Sequence, residues 1–344
     1  MTAPGRFAYA NARTRARRSQ LFTADTTDRL LLLLSRVRPR EVHVTELRAT
    51  GDRVEDLTGL PSRRFRELVA SYRTMLRAYP LGQSLLLALV RLHEIENLKL
   101  VWRALVRQRM ASPWHLSWRP LEDLATLDAG ECRSRTSLSD FVNALKKTPY
   151  GAVSRAVLAS HAGDLPAAEL AFDAWASSAL ARAARDLPPG EADARDLALA
   201  VVREAELDRL RRGVRTCGFA ADAIFATLVV LPGELGRDAL IRLANWTERD
   251  GPLIPKWPRA WRHLHGSGAA DWDTLMLGLH RARRDLCRRA FLRAPYCLAP
   301  AVALLLLQEE EVHAVTAIAA SVGIVSSELP ASFERVLAAS AMGR

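Results

Sequence analysis

The feature that most constrains the fold is a short acidic motif that occurs three times at nearly equal spacing. Its copies read Glu94-Ile-Glu-Asn-Leu98, Glu206-Leu-Asp-Arg-Leu210 and Glu311-Val-His-Ala-Val315, at offsets of 112 and 105 residues. In each copy an acidic residue is followed by apolar residues at the next and the fourth positions. Three copies in order along the whole length predict a threefold tandem of similar units.

The surrounding sequence predicts that these units are helical. Ala, Leu, Arg and Glu dominate, aromatic residues make up 6%, and the hydrophobic fraction is 49%, which favours helix and a sizeable core. In the second and third copies, Gly218 and Gly323 follow the motif at the same distance, as suits a left-handed helix stop. We expect an all-α fold of three similar helical-bundle domains, with approximate boundaries 1–112, 113–225 and 226–344.

The clearest single helix is predicted over 85–107. Its apolar residues recur at spacings of three and four, so they share one face that packs into a core. Glu96 and Lys99 fall mainly on the other side and are predicted to pair at the surface. The apolar residues of the predicted face are Ala88, Leu92, Ile95, Leu98, Trp102 and Leu105.

The sequence carries no pattern for catalysis, a cofactor or a metal. There is no G-x-x-x-x-G-K-[ST] or G-x-G-x-x-G phosphate loop and no G-x-S-x-G elbow. His93-Glu94 lacks the second histidine of a zinc motif because position 97 is Asn97, and His263 with His265 lacks a nearby third ligand. We therefore expect a non-catalytic protein without cofactor or metal.

The chain also lacks signals for secretion or membrane insertion. The four cysteines form no CxxC pair, the start has no signal-peptide pattern, and the most apolar stretches, 30–34 and 299–307, are short. A bilayer-spanning helix needs about 20 apolar residues. These observations predict a protein with reduced thiols, on the cytoplasmic side and without a transmembrane helix.

The repeated polar residues Glu94, Asn97, Glu206 and Glu311 allow two interpretations. In the functional one, the acidic residues contact a basic partner or a neighbouring repeat. In the structural one, each holds an adjacent backbone group or arginine within its own domain, and Asn97 is a buried amide that sets helix packing. Recurrence at equivalent positions favours the structural interpretation.

The basic residues allow several interpretations too. The chain has 49 Lys+Arg against 38 Asp+Glu, a net charge of +11, and the excess of arginine over lysine also fits a codon preference. Two clusters could meet acidic protein surfaces or anionic headgroups, or be solvated helix faces. The alternative function is a basic helical-repeat scaffold for nucleic acid, although no known binding signature is present. The clusters comprise Arg13, Arg15, Arg17 and Arg18, and Arg281, Arg283, Arg284, Arg288 and Arg289.

One stretch carries a family resemblance. Leu92-His-Glu-Ile-Glu-Asn-Leu-Lys-Leu-Val-Trp-Arg103 resembles the signature helix of the C-type subunit of bacterial and archaeal rotary V/A-type ATPases, the counterpart of the d-type subunit of eukaryotic V-ATPases. The stretches 9–15, 228–233 and 300–312 are similar to further parts of that family. Departures occur where Glu94 replaces a frequent Asp and where Arg209 and Ala314 replace a frequent Asn.

The resemblance implies a non-catalytic rotor connector. Three similar domains would surround a pseudo-threefold axis as a funnel between the central stalk and the membrane. The implied partners are the D-type and F-type stalk subunits, the proteolipid c-ring and the membrane stator subunit, with no specific nucleic acid. The protein would be peripheral, on the cytoplasmic face of the membrane, and would couple ATP hydrolysis or synthesis to proton or sodium transport.

Overall fold

A computed structural model describes residues 3–18, 21, 60–108, 118–229, 245, 272–292 and 297–321 of the chain. Side chains are described within these ranges, apart from those of residues 3–10, 272–275, 277 and 317–321. All the regular elements in these ranges are helices, so the predicted all-α class is confirmed. Among the residues named above, His263, His265, Gly323, the stretch 30–34 and positions 230–233 lie outside the described residues.

Eleven α-helices are described, joined by short 3₁₀ turns and one π-helical segment over Arg212–Thr216. They are α1 (Ala3–Arg18), α2 (Leu60–Ala78), α3 (Gln83–Val106), α4 (Ala129–Arg133), α5 (Leu138–Ala144), α6 (Gly151–His161), α7 (Leu165–Arg185), α8 (Ala192–Arg211), α9 (Ala221–Phe225), α10 (Trp272–Leu292) and α11 (Ala299–Ser321).

The chain divides into two compact units. Unit 1 takes the described residues within Met1–Gly82, Pro188–Leu197 and His263–Arg344, and unit 2 those within Gln83–Leu187 and Ala198–Arg262. The three predicted domains, with boundaries near residues 112 and 225, stay a prediction.

Unit 1 is built on α11, which packs against α1, α2 and α10. On α2, Leu68, Tyr72 and Met75 recur at spacings of three and four and are almost completely buried, so this helix turns one apolar face inward. On α11 the run 301–306 is buried all round. A helix with such a continuous apolar run occupies the middle of its unit rather than its surface.

Unit 2 centres on the pair α3 and α7, with α5 and α6 packed beside them. Trp102 of α3 meets Phe172 of α7 edge to face at 5.2 Å between ring centroids, and Tyr150 meets Trp175 in the same way at 5.2 Å. Such aromatic pairs add roughly 1 kcal/mol each beyond the area that they bury.

Local sequence sets where several of these helices begin. The side chains of Asp128, Ser137 and Asp164 accept backbone N–H groups at the starts of α4, α5 and α7. These caps satisfy donors that a helix start leaves without partners. At the end of the second motif helix, Gly218 adopts φ +71°, which confirms the predicted left-handed stop there.

Helix α3 corresponds closely to the helix predicted over 85–107, but its burial differs from the prediction. Instead of one apolar stripe, residues around most of its circumference are buried, including Lys99 at 3% exposure. The predicted surface pair of Glu96 and Lys99 does form, at 2.6 Å, yet only Glu96 is partly exposed. The surface assignment of Lys99 was therefore wrong, because its second partner, Asp173, lies on another helix that packs over it.

Candidate functional site

The first motif glutamate, Glu94, lies in the middle of α3 and is completely buried. Its carboxylate accepts hydrogen bonds from the backbone N–H groups of Thr126 and Leu127, the latter at 2.7 Å, and from the Thr126 hydroxyl at 2.9 Å. The Tyr150 hydroxyl donates to it at 2.6 Å, and the Arg91 guanidinium lies 2.5 Å away. Burial, and next the Glu94 charge, raise the pKa of Tyr150. One carboxylate thus joins a helix, a loop and the start of α6.

Asn97, one turn after Glu94, binds the same loop at an earlier point. Its amide nitrogen donates to the carbonyl oxygen of Arg119 at 2.8 Å, and its amide oxygen accepts the Arg119 N–H at 2.8 Å. The Arg119 side chain returns to α3, where it lies 3.1 Å from Nδ1 of His93. Burial, and then the Arg119 charge, lower the pKa of His93 to about 3. His93 is therefore neutral at physiological pH. The position where a zinc motif would have its second histidine is Asn97.

Lys99 forms a buried ionic network that the sequence analysis missed. Its Nζ lies 2.8 Å from Asp173 of α7, and the other carboxylate oxygen of Asp173 accepts from Arg212. Burial alone would lower the pKa of Lys99, but the Asp173 and Glu96 carboxylates outweigh it and raise that pKa. The same attraction outweighs burial at Asp173 and lowers its pKa. All members therefore stay charged, and the network ties α3 to α7 and to the end of the second motif helix.

The second motif copy pairs its glutamate with a buried arginine, where the first combines four neutral donors with the partly exposed Arg91. Glu206 on α8 accepts from Nη2 of Arg209 at 2.6 Å and from the Val229 N–H at 2.7 Å, while the same Nη2 donates to the Thr227 carbonyl at 2.6 Å. Burial raises the pKa of Glu206, and the Arg209 charge opposes that rise. Arg209 occupies the motif position of Asn97. Both residues bind a backbone carbonyl in the segment that follows their helix.

The third copy lies on α11 in unit 1. Glu311 is buried, at 5% exposure, with its carboxylate 3.8 Å from Nε of Arg64, and Ala314 is packed in the core. The neighbouring Glu310 has shorter ion pairs, at 2.7 Å to Arg284 and 3.1 Å to Arg283. Burial opposes ionisation of Glu310, but His280, Arg283 and Arg284 lower its pKa to about 2. Sequence analysis missed Glu310, since the motif alignment selects its neighbour.

The arginine clusters divide into inward and outward members. Arg283 and Arg284 bind Glu310, and Arg17 donates to the Ser71 hydroxyl. The remaining candidates are exposed. They are Arg13, Arg15, Arg18, Arg281, Arg288 and Arg289.

Among the described residues no group of histidine, cysteine or acidic side chains could hold a metal ion. Cys132, Cys217, Cys287 and Cys297 are all free thiols. At the two motif sites in unit 2, the carboxylates of Glu94 and Glu206 bind backbone and side-chain donors of the chain itself.

A model of the family described as "ATP synthase (C/AC39) subunit" matches residues 57–324. The chain belongs to this family. The match covers all three motif copies, and the resemblance to the C-type and d-type subunits of V/A-type ATPases is confirmed. A comparison with curated proteins finds no significant match.

The C/AC39 subunit is an accessory subunit of a membrane-associated ATPase complex, distinct from the catalytic subunit. None of the helices in the described part of the chain is long and apolar enough to cross a membrane. The roles of the motif residues and of the arginines, as structural or interface residues, stay predictions.

Proposed function

We propose that this chain is the non-catalytic connector in the central rotor of a rotary V/A-type ATPase. It links the central stalk to the proteolipid ring and so couples ATP hydrolysis or synthesis to proton or sodium transport. The observation that carries this proposal is the family match over residues 57–324. The proposed partners are the D-type and F-type stalk subunits, the c-ring and the membrane stator subunit. The proposed place is the cytoplasmic face of the membrane, as a peripheral subunit.

The motif contacts support this role mechanically. A part that transmits torque must keep its helices and loops together under load, and hydrogen bonds to buried charged groups are stronger than neutral ones. Glu94 and Asn97 hold the segment 118–127 against α3, and Glu206 with Arg209 holds 227–229 against α8. We propose these residues as structural anchors, and Glu311 as their equivalent in a third repeat of a pseudo-threefold funnel.

Removal of the connector provides a direct test. In cells that lack this chain, the catalytic ATPase subunits should leave the membrane fraction and appear as soluble ATPase activity, with loss of ATP-driven ion uptake by membrane vesicles. Adding back the purified chain should return both activities to the membrane. An unchanged distribution of ATPase activity and unchanged ion uptake would refute the connector role.

Affinity purification gives the complementary result. The tagged chain, isolated from membranes in mild detergent and treated with nuclease, should retain stalk and proteolipid subunits in fixed ratio. Recovery of nucleic acid in a parallel sample without nuclease, with no ATPase subunit in either sample, would instead favour the nucleic-acid scaffold.

A further inference from the structure

The two arginine clusters, far apart in sequence, meet at one end of α1. Nη2 of Arg15 donates to the carbonyl oxygen of Phe291 at 3.3 Å, and the guanidinium of Arg18 lies 4.5 Å from the centre of the Phe291 ring. A cation above an aromatic face is attracted by the ring quadrupole. The last turns of α1 and α10 therefore lie side by side within unit 1.

This junction carries a surface that we call the basic face. Its members are exposed and come from the last two turns of the two helices. They are Arg15, Arg18, Arg288 and Arg289.

Little negative charge balances the basic face within these two helices. Helix α1 contains no acidic residue, and the last two turns of α10 contain a single acidic residue, Asp285. Asp285 pairs with Arg288 at 3.3 Å, but both side chains are more than half exposed, and such pairs contribute little energy.

An exposed leucine adjoins these charges. Leu292 is 81% exposed and follows Arg288 by four residues and Arg289 by three, so the three share one side of α10. Surfaces that combine arginines with a protruding apolar side chain suit the boundary between headgroups and acyl chains of an anionic membrane. Nucleic acid would use the arginines but gain nothing from the leucine.

We propose that the basic face docks on anionic phospholipid headgroups at a membrane surface, with Leu292 entering the headgroup layer. Arginine forks match phosphate oxygens in a bidentate geometry. This inference goes beyond the connector role, because the isolated chain and protein-free vesicles test it without any ATPase subunit. Loss of vesicle binding and loss of ATPase assembly are thus separate outcomes.

The test is co-sedimentation of the purified full chain with vesicles of phosphatidylcholine, with and without phosphatidylglycerol. The variant Arg18→Gln/Arg288→Gln/Arg289→Gln should bind the phosphatidylglycerol vesicles about a hundredfold more weakly than the unchanged chain. Its control removes the same charge from exposed arginines of unit 2, as Arg133→Gln/Arg155→Gln/Arg185→Gln, and should bind as the unchanged chain does. Added salt should weaken the binding of the unchanged chain.

Leu292→Gln supplies an independent reading, because it leaves every charge in place. It should weaken binding to phosphatidylglycerol vesicles by several fold without altering thermal unfolding, since the side chain is exposed. Equal losses in the two arginine variants would show a net-charge effect and overturn the proposal. So would equal binding to vesicles with and without phosphatidylglycerol, or vesicle binding that Leu292→Gln leaves unchanged.

Discussion

The Glu94 and Glu206 sites place the same motif in two different chemical environments. Around Glu94 four donors are neutral, two backbone amides and two hydroxyls, and the fifth is the Arg91 guanidinium at 2.5 Å. Asn97 binds the loop without charge. Around Glu206 the main donor is the guanidinium of Arg209, which is itself 1% exposed. Each glutamate has an arginine partner three residues away, but the Arg91 guanidinium at the first site is partly exposed, whereas the Arg209 guanidinium at the second site is buried.

The difference shows what the motif copies share. Asn97 and Arg209 differ in charge, length and number of donors, yet both bind a backbone carbonyl in the following segment. Their glutamates both accept a backbone N–H from that segment. The shared feature is attachment of a loop to a helix by two side chains three residues apart, and the residue types are exchangeable around it.

The largest expected effect comes from the apolar position that closes both motifs. Leu98→Asp should destabilise unit 2 by more than about 4 kcal/mol, because an unpaired charge would enter a site that is now 0% exposed. Leu210→Asp should cost less, since Leu210 packs in a smaller cluster with Leu170 and Ile224. Thermal unfolding, with hydrogen exchange of peptides from α3 and α8, measures the two losses.

The exposed Arg107 is the control for this comparison. Arg107→Ala should change the free energy of unfolding by less than about 0.5 kcal/mol. Equal melting temperatures for Leu98→Asp and Arg107→Ala would contradict the assignment of the core face of α3.

Removal of Glu206 tests whether the second site depends on charge compensation. Glu206→Leu should cost about 3–5 kcal/mol, because it removes the acceptor of both the buried Arg209 guanidinium and the Val229 N–H. Adding Arg209→Leu in the same chain should recover part of that loss, since no uncompensated charge remains. Urea unfolding of the two single variants and the double variant gives the coupling energy. Strict additivity of the two losses would show that the pair is not coupled.

The dependence of stability on pH should distinguish Glu310, which has two arginine partners, from Glu206, which has one. The pKa of Glu310 is lowered from 4.5 to about 2, so its stabilisation is complete above about pH 5 and is lost as the pH falls toward about 2. The stability difference between the unchanged chain and Glu310→Gln should shrink by about 3 kcal/mol over that range. Urea unfolding at a series of pH values measures it.

The contribution of Glu206 to stability should depend on pH in the opposite direction. Its pKa is raised by burial, so the folded state binds the proton more tightly than the unfolded state. The advantage of the unchanged chain over Glu206→Gln should therefore be largest at acid pH and fall as the pH rises through the folded pKa. The same direction of change for both residues would contradict the contrast between their environments.

Sequence alone could predict the elements that depend on local pattern. The 85–107 helix, the stop at Gly218 and the all-α class follow from spacing and composition, and the family resemblance follows from the α3 motif. The burial of Lys99 could not be predicted, because its partner Asp173 lies 74 residues away on another helix. Periodicity on α3 is also weak evidence of orientation, since apolar residues surround the helix.

The third copy shows a second limit. Three glutamates, Glu309 to Glu311, follow one another on a helix whose apolar run is continuous, so no pattern shows which of them meets Arg283 and Arg284. The loop at 118–127 has no periodicity, and only the geometry shows that Glu94 and Asn97 bind it. In both cases the missing information is a contact between segments remote in sequence.

The smallest effect concerns Asn97, which sharpens the contrast with Arg209. Asn97→Ala should cost about 1–3 kcal/mol, because it leaves the backbone N–H and carbonyl of Arg119 without their partner. Unlike Glu206→Leu, it leaves no buried charge unpaired. Asn143→Ala, at an exposed position on α5, is the matched control and should be nearly neutral. Hydrogen exchange should accelerate at the Arg119 amide in the first variant alone. A cost above that of Glu206→Leu would mean that the hydrogen bonds of Asn97 to the Arg119 backbone stabilise the fold more than the Glu206–Arg209 pair does.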